Sequence, residues 1–249
     1  MCRGVCKDIL RLFTYDHTKG EYKVMDLKEA MEARHAVREY KDTPLEEDVI
    51  KKLEAEIDAV NKAGDLNIQL FTNEPEAFDP EILIYGKIKN VKNYIAMIGK
   101  NADDLEERVG YYGEHLVLFA QQLGLNSCWV GTTYKKMHKL MNIREDDRIV
   151  LVIAIGYGEN EGEPHRSKGL SAIIKGCKDI NELPGWFVNG AEAALLAPTC
   201  VNQQRFSFRL TEDGKVEANP GRAFFCKIDM GIAKYHFEIG AGKDNFEWA

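Results

Sequence analysis

The sequence predicts an α+β protein with a mixed sheet, and three observations carry that reading. Segments with a helical apolar period and segments of strand length follow one another without tandem βαβ units. Near the C-terminus "RFSFRL", "EDGK" and "KVEAN" read as strand, turn and strand. No GxGxxG turn and no Walker loop occurs, which disfavours a Rossmann sheet.

The elements follow in order. Residues 1–24 lack a clear period and read as an N-terminal extension. In "MDLKEAMEAR" Asp26 can cap a helix, Glu29 closes a capping box, and Leu27, Ala30 and Met31 give the apolar face. "TPLEEDVIKKLEAEIDAVNKAG" repeats the device: Thr43 caps, Pro44 takes the first turn, Glu46 reaches back, and Gly64 ends the helix. Val49, Ile50, Leu53, Ile57 and Val60 form its stripe. "NIQLF" at 67–71 and "EILIYG" at 81–86 read as short strands. "DDLEERVGYYGEHLVLFAQQLG" reads as a long helix stopped by Gly124, and "RIVLVIAIG" at 148–156 as a strand suited to the middle of a sheet covered on both faces. Helix resumes at "GAEAALLA", and a last helix runs around "DMGIAKYHFEIG".

Composition narrows the function classes. Across 249 residues, 33 Lys and Arg against 40 Asp and Glu leave a net charge of −7, with no long basic run. Nucleic-acid backbones and anionic membranes are therefore poor partners, and small molecules are the expected ones. The longest apolar run, "IVLVIAIG", falls short of the roughly 18 residues of a spanning helix. "MCRGVCKDILRLF" does not read as a signal peptide, so a cytoplasmic protein is expected. Cys2, Cys6, Cys128, Cys177, Cys200 and Cys226 lack the spacing of a disulfide framework or a zinc knuckle and read as free thiols; no metal site is expected.

Arg34, His35 and Arg38 stand within five positions of an acidic chain, where the first helix should end. Cations there can simply complement a helix dipole. Alternately spaced on an extended connection, two guanidiniums and an imidazole can instead converge on an oxyanion such as a phosphate. The local sequence permits both.

Three stretches resemble the FMN-dependent nitroreductase family, in family order. "MDLKEAMEARHAVREYKDTPLEEDVIKKL" is similar to its opening, where the first helix ends in a pattern of the kind R-R-S-x-R-x-[FY]. Arg34, His35, Ala36, Arg38 and Tyr40 match it, with His35 in place of the commoner Arg and Ala36 in place of Ser. "LGLNSCWVGTT" resembles the segment whose backbone lies near flavin N5, which brings in Val130, Gly131 and Thr132. "LVIAIGYG" followed by "EPHRSKGL" resembles the closing strand and basic pair, with Arg166 and Lys168 as the cations. The family's A-P-S-x-x-N-x-Q-P-[WF] segment is absent after the second helix, where "NIQLF" echoes it faintly, and occurs instead as "ALLAPTCVNQQRFSF". Pro198, Thr199, Asn202 and Gln204 carry the match. "KIDMGIAKYHFEIGA" resembles the family's central helix a second time.

The resemblance implies a mainly antiparallel sheet flanked by helices and two degenerate halves, 25–170 and 171–249, packed as an internal pseudo-dimer behind the 1–24 extension. It is similar to a single-chain subgroup with the A-P-S-x-x-N segment in the C-terminal half. FMN is the implied cofactor and NAD(P)H the transient reductant. Arg34, Arg38, Arg166 and Lys168 would hold phosphate, Asn202 and Gln204 the ring or ribityl, and Phe206 and Tyr112 would flank the ring. Hydride would pass from NAD(P)H through flavin N5 to an electron-poor acceptor such as a nitroaromatic or quinone, with no protein acid or nucleophile required. The alternative is a flavin-binding or regulatory protein without turnover. Either a monomer or a homodimer is compatible with a pseudo-dimer.

Overall fold

The computed structural model describes residues 13–16, 21–78, 88–135 and 137–249, and its elements follow the chain in this order. They are β1 (Phe13–Asp16), β2 (Glu21–Val24), α1 (Leu27–Ala33), α2 (Glu47–Gly64), β3 (Gln69–Phe71), β4 (Asn93–Lys100), α3 (Leu105–Gln122), β5 (Asn126–Val130) and β6 (Asp147–Gly156). There follow α4 (Leu170–Ile173), α5 (Gly185–Ala194), β7 (Phe206–Leu210), β8 (Val216–Pro220) and α6 (Cys226–Ala241). The chain divides into two compact units. The N-terminal unit comprises residues 1–100 and 116–163, and the C-terminal unit residues 101–115 and 164–249.

In the N-terminal unit, β3, β4, β6 and β5 form an antiparallel sheet in that order. β6 lies inside it and is buried from Leu151 to Ile155, as its unbroken apolar run requires. β4 is its inner neighbour, with seven consecutive buried residues and a bulge between Met97 and Ile98. The sequence reading missed β4. A strand covered on both faces loses the period of two, and "NYIAMIG" is too short to declare itself otherwise. One face of the sheet packs Tyr94, Ala96, Ile98, Cys128, Val130, Val152 and Ala154 against Val37 and Tyr40.

The capping box of α1 forms as expected, Glu29 N–H donating to Asp26 at 2.8 Å and Asp26 N–H to the Glu29 carboxylate at 3.1 Å. α2 differs. It starts at Glu47, Glu46 occupies the N-cap without a side-chain bond, and neither Thr43 nor Pro44 is helical. The cause lies just upstream: Lys41 N–H donates to the Tyr157 carbonyl at 2.8 Å and Leu45 is buried, so the chain stays extended until that anchor is set. At the other end Gly64 is the last helical residue, and Asp65 takes the left-handed cap at φ 48°. "NIQLF" narrows to β3, only "GAEAA" of "GAEAALLA" is helical, as the second part of a helix that begins at Gly185, and "EILIYG" lies outside the described residues, as do Cys2 and Cys6. Within 1–24, where no element was expected, β1 and β2 pair antiparallel from Phe13↔Val24 to Asp16↔Glu21.

The C-terminal unit holds the β7–β8 ribbon and the helices α4, α5 and α6, together with α3 up to His115. Here α3 and α6 meet at bare backbone. A Cβ placed on Gly110 would lie 2.1 Å from the Ile228 carbonyl oxygen, and one on Gly231 would lie 2.0 Å from that of Glu107. Each glycine thus opposes the carbonyl three residues before the other. The pairing continues further along both helices. His115 Nδ1 lies 2.7 Å from the Tyr235 hydroxyl, and His236 Nε2 lies 2.9 Å from the Glu114 carboxylate. Both pairs of contacts interchange when 107, 110, 114 and 115 are exchanged with 228, 231, 235 and 236, which is the reciprocity of a two-fold interface.

Candidate functional site

Arg34 is the C-cap of α1 at φ −70° and ψ 118°, so the chain leaves the helix already extended. The extended run that follows is pinned on several sides within the N-terminal unit. Ala36 bridges Ser127 of β5 in parallel, and Val37 N–H donates to the Ser127 carbonyl at 3.0 Å. Lys89 N–H donates to the Arg38 carbonyl at 2.8 Å, and Glu159 N–H to that of Glu39 at 2.9 Å. Val37 faces the core, and its neighbour Arg38 is exposed on the opposite side.

The segment fits its surroundings at glycines. Gly162, at φ 73°, passes so close that a Cβ there would lie 2.8 Å from the His35 Cβ. Gly158 leaves room for Val37 and receives an anchor, its N–H donating to the Asn126 side chain at 2.9 Å. The motifs containing Arg34, Asn126 and Gly158 therefore form one backbone assembly, with the cations along its edge. Arg34 is 3 % exposed, whereas Arg38 is exposed and its guanidinium has no hydrogen-bond or ion-pair partner among the described residues. Burial pushes the Cys128 thiol up, while the nearby Arg38 and Arg34 guanidiniums pull it back, which places both cations within electrostatic reach of one buried atom. Val130 ends β5 in the core, Gly131 is half-buried and Thr132 is exposed.

The remaining expected residues lie in the C-terminal unit. Asn202 Nδ2 donates to the Arg166 carbonyl at 2.9 Å, and Lys168 N–H donates to Gln204 Oε1 at 2.8 Å. The Lys168 ammonium donates to the carbonyls of Gln203 at 2.7 Å and Gln204 at 3.0 Å. The basic pair and the A-P-T-x-x-N segment are thus in contact. Thr199 Oγ1 accepts from Gln204 N–H at 3.1 Å, and Pro198 is half-buried just before it. Gln204 is buried, and its amide also donates to the Leu195 carbonyl at 3.4 Å. Lys168 and Gln204 consequently shape the loop, while the exposed Arg166 guanidinium has no hydrogen-bond partner among the described residues. Phe206 is buried 5.7 Å from the Phe208 ring, a core contact, and Tyr112 packs edge-on against Tyr111.

The loop is strained. Val201, Asn202 and Gln204 have φ of 45°, 53° and 43°, left-handed values that cost a β-branched residue most. Sequence reasoning missed the residue that holds it, Asp229 in the first turn of α6, which accepts from Cys200 N–H at 3.0 Å and Gln203 Nε2 at 2.6 Å. Burial raises its pKa to about 6 against the opposing pull of those two bonds. The signal available was one acid inside an otherwise apolar stretch, "IDMGIA".

With this geometry in hand, the family model described as "Putative TM nitroreductase" matches residues 26–241. The chain belongs to that family. Membership makes it an oxidoreductase of the nitroreductase type. Among solved structures, a protein from Thermotoga maritima described as "a putative nitroreductase" is 21% identical over 94% of this chain and 92% of that one, with a TM-score of 0.67, which shows the shared fold. An FMN-dependent nitroreductase from Clostridium difficile is 18% identical over 55% of this chain and 90% of its own, with a TM-score of 0.46. A protein from Exiguobacterium sibiricum described as "a putative nitroreductase in complex with FMN" is 14% identical over 59% of this chain and 94% of its own, with a TM-score of 0.47. No curated protein matches. No helix among the described residues of this nitroreductase is long and apolar enough to cross a membrane.

Proposed function

We propose that this nitroreductase binds FMN and transfers reducing equivalents from NADH or NADPH to an electron-poor acceptor such as a nitroaromatic or a quinone. The observation that carries the reading is the extended 34–38 segment, fastened to Ser127 and presenting an exposed guanidinium within an acidic protein. The donor set fits the cofactor. Arg38 and Arg34 supply planar, permanently charged donors for a phosphate, His35 and the Ala36 backbone continue the same edge, and Arg166 offers a further uncommitted cation. Gly131 lets backbone approach a flat ring, with Val130 and Thr132 beside it. Thr199 and Asn202, preceded by Pro198, are the polar groups of the second set, with Lys168 and Gln204 fixing their loop. Flavin, when bound, would supply the redox chemistry between nicotinamide and acceptor. The protein's residues hold and orient it.

We further propose that each chain is a fused, degenerate pair of nitroreductase halves. The reciprocal contacts of α3 and α6 support this, since two-fold exchange is the mark of an interface between equivalent subunits. A flavin-to-chain ratio near one is expected; a ratio near two would sink the pseudo-dimer.

Arg38→Ala should weaken FMN binding by about 1.5–3 kcal/mol, the range for a charge-assisted hydrogen bond, which is about 10- to 150-fold in Kd. Flavin fluorescence quenching measures it, and unchanged affinity removes Arg38 from the site. Turnover is read separately: the flavin absorbance bands of the loaded protein should bleach on anaerobic addition of NADPH or NADH. Bands that persist with both favour a binding protein without turnover.

A further inference from the structure

Asp229 has no part in the FMN reading above, yet it is 3 % exposed, charged when ionised, and bonded to the loop that carries Thr199 and Asn202. We propose that Asp229 is a positioning residue whose carboxylate latches residues 199–204 in their left-handed shape, and that its protonation releases them. The proposal rests on the FMN reading only for its consequence in binding; the latch itself is a property of the ligand-free chain.

The argument begins with donors and acceptors. Each carboxylate oxygen of Asp229 takes a different N–H, one from the loop backbone at Cys200 and one from the Gln203 side chain. That arrangement fits the ionised form. A protonated carboxyl would turn one of those oxygens into a donor facing another donor, and one of the two bonds would be lost. Gln203 Nε2 also donates to the Phe224 carbonyl at 2.8 Å, so the same side chain links the loop to the turn that starts α6, where Phe225 itself sits at φ 59°.

The loop needs such a hold. Val201 is 89 % exposed, so its left-handed backbone is not offset by burial of its side chain. Three left-handed residues within four positions persist only where surrounding bonds impose them. Besides Asp229, the hydrogen bonds on this stretch among the described residues are the turn bonds from Asn202 N–H to the Thr199 carbonyl and from Gln203 N–H to the Cys200 carbonyl, Gln204 N–H to Thr199 Oγ1, Asn202 Nδ2 to the Arg166 carbonyl, Gln203 Nε2 to the Phe224 carbonyl, the Lys168 ammonium to the Gln203 and Gln204 carbonyls, Lys168 N–H to Gln204 Oε1, and Gln204 Nε2 to the Leu195 carbonyl. Those at Gln203 and Gln204 fix the C-terminal end; the Cys200 carbonyl takes Gln203 N–H within the turn, and Asp229 holds the Cys200 N–H, next to the most exposed strained residue.

The pH range follows from the surroundings. Burial raises the Asp229 pKa to about 6, against the bonds from Gln203 and Cys200. The titratable group facing it from the loop is the Cys200 thiol, pushed up by burial and then by Asp229 itself. Lys168 lies one link away on the Gln203 carbonyl, and on α6 the Lys227 ammonium donates to the Asp103 carbonyl at 3.0 Å. For the fold as a whole the sign is opposite to that of the latch. A carboxyl whose folded pKa lies above its unfolded value contributes stability at low pH and loses it as pH rises through about 6. Acidification should therefore loosen the loop while favouring the global fold, a combination that general acid damage does not produce.

The test is amide hydrogen exchange of the ligand-free chain at about pH 7.5 and about pH 5, with rates corrected for intrinsic pH dependence. In the wild type, protection of the amides from Cys200 to Gln204 should fall about tenfold at the lower pH, while amides in the middle of α6 hold theirs. In Asp229→Asn the loop should exchange fast at both values, with no pH step. A wild-type loop whose protection ignores pH overturns the proposal, and so does a variant as protected as the wild type. Should the variant lose α6 protection as well, the wild-type step alone decides. FMN titrations of both proteins give the second readout. Because the ligand phosphate titrates in both, only the difference between their pH profiles reports Asp229, and it should vanish near pH 5. Failure of FMN to bind at any pH rejects the cofactor reading and leaves the exchange result standing.

Discussion

Glu114→Ala is expected to destabilise the protein by about 3–5 kcal/mol, the cost of removing one partner from a buried ion pair. Glu114 and His236 are both fully buried, 2.9 Å apart. The second ring nitrogen of His236, Nδ1, lies 3.2 Å from the Ala193 carbonyl, which can only accept, so Nδ1 carries a hydrogen. Nε2 and Glu114 must then hold one further proton between them. Alanine leaves that nitrogen in a dry interior without this partner. Glu114→Gln provides the control: its amide can donate to a neutral Nε2 in nearly the same space, so the loss should drop to about 1 kcal/mol. Urea denaturation measures both, and with a slope of about 2–3 kcal/mol per molar the alanine variant should shift its midpoint by about 1–2 M. Equal losses for Ala and Gln would mean that volume, and not the proton, is what matters at Glu114.

What the sequence disclosed depended on whether a residue's partner was local. The α1 capping box joins Asp26 to Glu29, three positions apart, and was readable as such. So were the β7–β8 hairpin and the buried run of β6, each a statement about one short segment. The start of α2 was misplaced because Lys41 answers to Tyr157, more than a hundred residues away, and no capping rule contains that bond. β4 escaped because burial on both faces erases alternation.

The site divides in the same way. Arg34, Arg38, Arg166 and Asn202 stood out as residue types in a recognisable order, whereas the supports did not. Nothing in "LGLNSCW" announces that Ser127 accepts from Val37, and nothing in "KIDMG" announces that Asp229 holds Cys200. The repeated central helix was legible as a likeness between two segments. Its physical meaning, glycine against carbonyl in both directions, required the coordinates.

That meaning leads to the second large effect. Gly231→Val should destabilise by about 3–4 kcal/mol, at the upper end for overpacking. Helix propensity argues the other way, since glycine is the poorest helix former after proline and any replacement gains a few tenths to about 1 kcal/mol. The geometry decides which effect wins. A Cβ on Gly231 would meet the Glu107 carbonyl oxygen at 2.0 Å and the Tyr111 nitrogen at 2.7 Å, and both are backbone atoms of α3 that no rotamer change can withdraw. The helices would have to separate, pulling apart His115 and Tyr235, and Glu114 and His236, one turn further along. Gly110→Val should cost a similar amount, because its Cβ meets the Ile228 carbonyl in the reciprocal position. The double variant should then lose less than the sum, by more than about 1 kcal/mol, since helices already forced apart by one side chain have room for the other. Chemical denaturation of the two single variants and the double variant supplies the cycle. Additive losses would show that the two glycines relieve separate contacts and do not share one crossing.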